Sequence, residues 1–389
     1  MSQLVERSLP DLLAVIVDNR GRSCPVTDVG FPLIATNCLK DDHKYPVFEN
    51  VRYVDSETYE HWFRGHPEPQ DILFVCKGSP GRVAMVSDPV PFCIAQDMVA
   101  LRVDVREADP GYLYYRLKTP DVRAKIENLH VGTMIPHFKK GDFGKLTFGV
   151  HSDINEQRAI AEVLGALDDK IATNTTLTET ADELSRAVFT SMLSDTTSRP
   201  LSDVAEFVNG KAFTKNASGT GYVVIRIAEL NSGFSGSTVY NDIDVADEHL
   251  ARPGDLLFAW SGSLTLHRWF RAEGIINQHI FKVIPKDGYP MWCVYGLLVR
   301  KLDEFKSIAA DKATTMGHIQ RRHLDEPVEV PVQAQIERND ALMTSLWQRA
   351  LAAEEESLGL VAMRDALLPQ LMSGRIRVKD AEQIVGDVV

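Results

Sequence analysis

Four segments of this chain recur in the same order at nearly constant separation, and that duplication constrains the fold more than any single motif. GFPLIATNCL (Gly30 to Leu39) is answered by GYVVIRIAEL (Gly221 to Leu230) at an offset of 191, and DILFVCKGS (Asp71 to Ser79) by DLLFAWSGS (Asp255 to Ser263) at an offset of 184. CIAQDMVALRV (Cys93 to Val103) is answered by IINQHIFKVI (Ile275 to Ile284), with Gln96 matching Gln278. Last comes TMIPHF within GTMIPHFKKGDF, answered by TMGHI within TTMGHIQRRHL at offsets of 182 and 181, so that His137 matches His318. One such echo arises easily by chance. Four in order, with slowly drifting offsets, require that the chain is built twice.

Each copy has two regions of different character. The first, residues 1–150 and again 198–330, is short-period and mixed. DILFVCK and DLLFAW follow turn-like residues and read as strands, and MVALRV and IFKVI read as further buried strands. DPGYLYYRLKTPDVRAKIENL and YPMWCVYGLLVRKLDEFKSIAA read as helices that start behind a proline. The second region, residues 151–197 and 331–375, is helical for much longer, and residues 376–389 are left as a tail. One apolar stripe passes Ile160, Leu164, Leu167, Ile171, Asn174, Leu177, Ala181, Leu184, Val188 and Met192; another passes Ile336, Asn339, Met343, Leu346, Ala350, Ala353, Leu360, Leu367 and Leu371. At 1.5 Å per residue either helix extends ~55 Å. Such stripes need a second apolar face, and the nearest is the other helix, in a coiled coil whose seam carries Asn174 and Asn339. TNTT at Thr173 to Thr176 is a poor helix interior, because β-branched residues lose rotamer freedom there.

The charge balance, 42 basic against 54 acidic residues, gives −12 and argues against a protein that coats nucleic acid by bulk charge. Two local stretches run the other way: Arg116 to Lys145 has seven basic and three acidic residues, and Arg300 to His323 has six and three. The Leu12 to Val17 run is too short to span a membrane, and neither a leader nor a membrane association is expected. Five cysteines without a CxxC pair fit a reduced cytoplasm, as small apolar fillers.

Catalytic signatures are missing. There is no GxxxxGK[ST] phosphate loop, no HExxH, and no pair of CxxC clusters. Gly219-Thr220-Gly221 lacks the rest of a dinucleotide fingerprint, WSGS is not a GxSxG elbow, and no NPPY-like methyl-transfer loop occurs. His137 and His318 recur without an evident nucleophile and orienting carboxylate, so neither is expected to be a general base. No catalytic, cofactor-binding or metal-binding residue is assigned. A duplicated module joined by long helices suits a long ligand read at two separated patches, because linkage makes the second binding event intramolecular. The other reading is a duplicated protein-interaction scaffold without sequence-specific DNA binding, with an unconventional Ser/His hydrolase more distant.

In QDILFVCKGSPG and GDLLFAWSGS, each followed by its Gln, in GTMIPHFKKGDFGKLTFGVHSDINEQRAIAEVL, and in the ending RDALLPQLMSGRIRV, the chain resembles a specificity (S) subunit of a type I restriction-modification system. The resemblance covers nearly the whole chain. It implies two α/β target recognition domains, each followed by a long helix, with the helices paired as an antiparallel coiled coil. It also implies that each domain reads one half of a bipartite target in double-stranded DNA while the helices set the gap. The implied partners are two methyltransferase (M) subunits using S-adenosylmethionine and restriction (R) subunits using ATP and Mg; this chain would be noncatalytic and hold no cofactor. One departure stands out: His66-Pro67-Glu68-Pro69-Gln70 precedes the first strand where copy two has Arg252-Pro253-Gly254, so the two entry turns are not expected to correspond in detail.

The candidate DNA contacts are Lys77, Ser79 and Arg82 in the first glycine loop, and Ser261, Ser263, His267 and Arg268 in the second. Arg satisfies the acceptors of guanine, while Ser is less selective. Lys139 with Lys140, and Arg321 with Arg322, are candidate phosphate contacts that position a duplex without reading it. Gln96 and Gln278 either read adenine bidentately or are buried amides that fix a turn.

Overall fold

The computed structural model describes residues 3–21, 23–129, 136–311 and 317–386. The Thr133-Met134 and Thr315-Met316 halves of the repeated motif lie outside the described residues. The chain divides into two compact units, residues 1–172 with 359–389, and residues 173–358. The division falls inside the long helices: each unit takes a recognition module together with a stretch of both.

The first unit is a mixed α/β module. Its main sheet is antiparallel in the order Leu13–Val17, Met98–Val103, Ile72–Val75, Val83–Met85. A smaller sheet runs Arg52–Val54, Phe31–Ile34, Cys93–Ile94, and Leu4–Ser8 pairs with Thr147–His151. Ile72–Val75 is buried on both faces, which explains its unbroken apolar run. The expected single helix after Asp109 is two, Pro110–Lys118 and Pro120–Leu129. Pro120 has no amide proton and holds Thr119 extended at ψ 146, so the first helix stops there. Asp109 caps its start by accepting from the Tyr112 amide at 2.9 Å.

The second unit repeats this plan. Its main sheet runs Ala205–Asn209, Ile280–Pro285, Leu256–Ala259, Thr265–Arg268, the same order as in the first unit. A second sheet runs Tyr240–Asn241, Tyr222–Ile225, Gly274–Ile276, Leu250–Ala251, and Thr196–Pro200 pairs with Pro327–Pro331. Met291–Asp311 is one uninterrupted helix, since no proline falls inside it.

The long helices are Ile154–Met192 and Gln333–Met372. In the first unit Ile160, Val163, Leu164 and Leu167 share a core with Leu360, Leu367, Leu368 and Leu371, and Arg364 Nη1 meets Asp168 Oδ1 at 2.7 Å. In the second unit Asn174 donates to Glu356 Oε2 at 2.7 Å, while Phe189 and Met192 share a core with Ile336 and Met343. In each unit an early position on one helix meets a late position on the other, so the pairing is antiparallel. The helix continues through TNTT without a break, with Asn174 buried on the Glu356 bond. The first stripe is less regular than expected: Leu177 and Leu184 are exposed, and Phe189 takes an inward place. Residues 378–386, expected as tail, form a helix that buries Ala381 and Val385 in the first unit's core.

Candidate nucleic-acid interface

The repeated segments meet at one corner of each module. In the first unit the strand Ile72–Val75 delivers a loop whose Cys76 and Lys77 amides donate to Asp97 O at 2.7 and 3.1 Å. Phe138 N donates to Cys76 O at 2.8 Å, Gly78 N donates to Pro136 O at 3.0 Å, and Lys77 bridges His137. The second unit repeats three of these bonds and the bridge: Trp260 N to His279 O at 3.1 Å, Ile319 N to Trp260 O at 3.1 Å, Gly262 N to Gly317 O at 2.9 Å, and Ser261 bridging His318. Gly78 and Gly262 have φ 92° and 69°, which is why each loop needs glycine there.

The entry turns also coincide, contrary to expectation. Gln70 adopts φ 70° where Gly254 adopts 91°, and in both the aspartate one residue on accepts from a backbone amide, Glu68 to Asp71 Oδ2 at 2.8 Å and Arg252 to Asp255 Oδ2 at 2.7 Å. A left-handed residue is required at this place, and copy one meets the requirement with a side chain that bears the strain.

In the first unit Lys77, Gln96, Lys139 and Lys140 come together around a surface hollow of about 510 Å3, lined also by Asp18, Arg20, Asp97 and His137. Lys140 Nζ lies 3.6 Å from Asp18 Oδ2, and Lys77 Nζ lies 3.9 Å from Asp97 Oδ1. Ser79 and Arg82 fall instead in a neighbouring hollow of about 410 Å3, where Arg82 is held by Leu39 O at 3.2 Å and by Asp41 at 3.5 Å. Gln96 and Gln278 are both exposed, which removes the buried-amide reading. Asp97 and His279 at φ 74° and 75° supply the turn that turns each glutamine outward between buried neighbours.

In the second unit Gln278, Arg321 and Arg322 are exposed, whereas Ser261 is buried. Ser263 Oγ accepts from Asn231 at 3.0 Å, and His267 Nε2 contacts Asn231 Oδ1 and Thr265 Oγ1, each at 3.1 Å. Burial holds His267 below the usual histidine pKa. Arg268 is not at the surface. It is buried, its guanidinium ion-paired to Glu354 at 2.8 Å and Asp182 at 3.2 Å and placed over the Trp347 ring, so it ties the sheet to both long helices. Burial raises the Glu354 pKa even with this arginine beside it.

The basic stretch from Arg116 to Lys145 is largely spent inside the fold. Arg116 is buried on Asp121, Arg123 pairs with Asp41, and Lys125 lies near Glu6. Lys118 is pushed down to about 8 by burial. Lys139 and Lys140 are the part of that stretch that opens into the hollow. Residues not singled out in sequence also face these corners: Asp18 and Arg20 in the first unit, and Asn209, Lys211, Trp260 and His279 in the second. Their signal was present, because Asp18 and Arg20 stand 191 before Asn209 and Lys211, the offset of the first repeated pair.

Burial pushes the Cys76, Cys93 and Cys293 thiols up to about 12, consistent with apolar filling. Among the described residues no group of three or more His, Cys, Asp or Glu side chains is placed to hold a metal ion, and no helix is long and apolar enough to cross a membrane.

The fold and its two matching corners define a tandem-repeat protein, one that presents the same loop backbone once per copy. Residues 27–182 and 194–336 match the family model for the type I restriction modification DNA specificity domain, and the chain belongs to that family. A putative type I specificity subunit of Mycoplasma genitalium is 32% identical over 108 residues, which take in 28% of this chain and only 27% of that relative. Among solved structures, a type I restriction-modification S subunit from M. genitalium aligns over 95% of this chain and 96% of its own, at 17% identity and a TM-score of 0.59, a likeness of fold. The HsdS subunit from Thermoanaerobacter tengcongensis aligns over 96% and 97% at 15% identity and a TM-score of 0.36.

Proposed function

We propose that this chain is the noncatalytic sequence-specificity subunit of a type I restriction-modification complex, reading a bipartite target in double-stranded DNA with one recognition module per half-site. The observation that carries this reading is the loop corner built twice on the same backbone bonds but lined with different side chains. A repeated scaffold with unlike residues is what reading two different short words requires, because phosphate contacts position a duplex while base-edge contacts specify it.

The partners follow from the same reading. Two methyltransferase subunits, using S-adenosylmethionine, act on adenines in the selected sequence, and restriction subunits hydrolyse ATP with Mg in the full complex, in the cytoplasm. The chain's charge of −12 leaves much of the phosphate neutralisation to those partners. The two long helices set the number of unread base pairs between half-sites.

Co-expression with the methyltransferase subunit from a neighbouring gene, followed by mapping of methylated adenines, tests partner and target together. The expected result is a split sequence with a fixed gap. Methylation that ignores sequence, or a complex that forms without selecting DNA, refutes the reading in favour of a protein-interaction scaffold.

A further inference from the structure

The loop that follows the strand Leu13–Val17 holds an arginine in a fixed pose. Asp18 accepts from Arg20 Nε and Nη2, both at 2.9 Å, and from the Arg20 amide at 3.1 Å. The loop backbone is pinned from behind. Asn19, buried, donates to Gly65 O at 2.9 Å and Ile94 O at 3.0 Å and accepts from the Arg64 amide at 2.8 Å. Arg64 Nη1 adds bonds to Asp18 O and Arg20 O at 3.2 and 3.1 Å. The hydrogen bonds from Arg20, against the cost of burial, hold the Asp18 carboxyl at about 2, so it stays ionised and keeps its grip throughout the physiological range.

The consequence lies in what the grip leaves over. A carboxylate that takes Nε and one Nη2 proton leaves the two Nη1 protons and the second Nη2 proton. The Cys76 thiol also lies against this guanidinium, but a thiol is a weak acceptor, and the end formed by Nη1 and Nη2 is the arrangement that fits O6 and N7 of guanine. Arg20 lines the same hollow as Gln96, Lys139 and Lys140. Because both the side chain and its loop are already fixed, little conformational freedom is lost on contact.

Resting on the reading of the chain as a specificity subunit, we infer that Arg20, buttressed by Asp18, determines a guanine at one position of the half-site read by the first recognition module. The second module lacks this device. At the corresponding places stand Asn209 and Lys211, and Asn209 Oδ1 is already occupied by Trp260 Nε1 at 2.8 Å. A lysine is a point charge without a planar fork, so the second half-site is not read in the same way.

The test compares methylated targets of wild type, Arg20→Ala, Arg20→Lys and Asp18→Asn, each assembled with the methyltransferase subunits. In wild type one half-site carries an obligatory guanine. Both Arg20 variants relax that position, lowering discrimination by a factor between about 5 and 160, while the rest of the split sequence is kept. Asp18→Asn relaxes the same position less. The unchanged second half-site shows that the variant complexes are folded and assembled. A split target whose guanine requirement survives Arg20→Ala overturns the inference alone, as does an even loss of methylation over all sequences, which marks a phosphate contact. A wild-type complex that selects no split sequence overturns the inference together with the functional reading beneath it.

Discussion

Arg364 in the first unit offers a direct measure of what joins the long helices there. Its Nη1 bonds Asp168 Oδ1 at 2.7 Å, with the two side chains 7% and 4% exposed. Burial works against the guanidinium charge, yet Asp168 and then Asp365 more than offset it and hold its pKa above the usual arginine value. In Arg364→Met the Asp168 carboxylate keeps the Tyr115 hydroxyl at 2.7 Å but loses its counter-charge within a buried site. Removing one partner of a buried pair costs about 3–5 kcal/mol. For a unit of this size each kcal/mol moves the midpoint about 2–4 °C, so the transition should fall by about 6–20 °C. Differential scanning calorimetry and urea unfolding read this, and the pair Asp168→Leu with Arg364→Met should recover most of the loss, since it leaves no unpaired charge. A single-variant loss under about 1 kcal/mol, or a double variant as unstable as the sum of the singles, refutes the argument that the buried charge is what matters.

Replacing Lys139 and Lys140 together with Gln should weaken binding of the assembled complex equally on specific and random duplexes, and make the log–log salt slope shallower by about 1.8, from about 0.9 per phosphate contact; unchanged slopes refute the contacts. Inserting four residues within Thr173 to Thr176 lengthens the helix by about 6 Å, and the preferred gap between half-sites in the methylated target should grow by one or two base pairs; an unaltered gap removes the helix as a ruler. Gly254→Ala, at φ 91° and with its new Cβ 3.3 Å from Leu351 Cδ2, should cost about 1 kcal/mol in urea unfolding. Burial lowers the His151 pKa, with the Tyr112 hydroxyl 2.8 Å from Nδ1. The unfolded chain therefore takes up the proton first, and stability present above the unfolded value of about 6.5 is lost as pH falls through the lower folded value. Unfolding of His151→Gln followed across that range should be less pH-dependent than wild type.

Much of the architecture was legible because duplication doubles every signal. The strand runs, both long helices and the drifting offsets each appear twice, and an error in one copy is exposed by the other. Charge was the poorest guide. Arg116, Arg123 and Lys125 look like a basic face in a linear stretch, yet each ends on an acidic residue far away or across a turn: Asp121, Asp41 and Glu6. Net charge over a window has no knowledge of tertiary partners. Arg268 fails for the same reason, since its partners Asp182 and Glu354 are 86 residues away on either side.

The glycine turn shows the opposite limit. Position 70 reads as a departure because glutamine stands where the second copy has glycine, and composition alone then predicts a different turn. The backbone bonds are nevertheless the same, Asp71 N to Glu68 O and Gln70 N to Val86 O in one copy, Asp255 N to Arg252 O and Gly254 N to Trp269 O in the other, and they fix the left-handed residue whatever its side chain. Equivalence between the copies therefore resides in the hydrogen-bonded backbone of the corner, not in matching letters. The side chains carried on that frame differ: Lys77, Asp97 and Arg20 line the hollow in one copy where Ser261, His279 and Lys211 stand in the other, and the buried Cys76 takes the place of Trp260. A backbone shared by the copies with divergent side chains on it suits the reading of two different words, and sequence revealed the corner more readily than Arg20 because the frame repeats while the side chains on it do not.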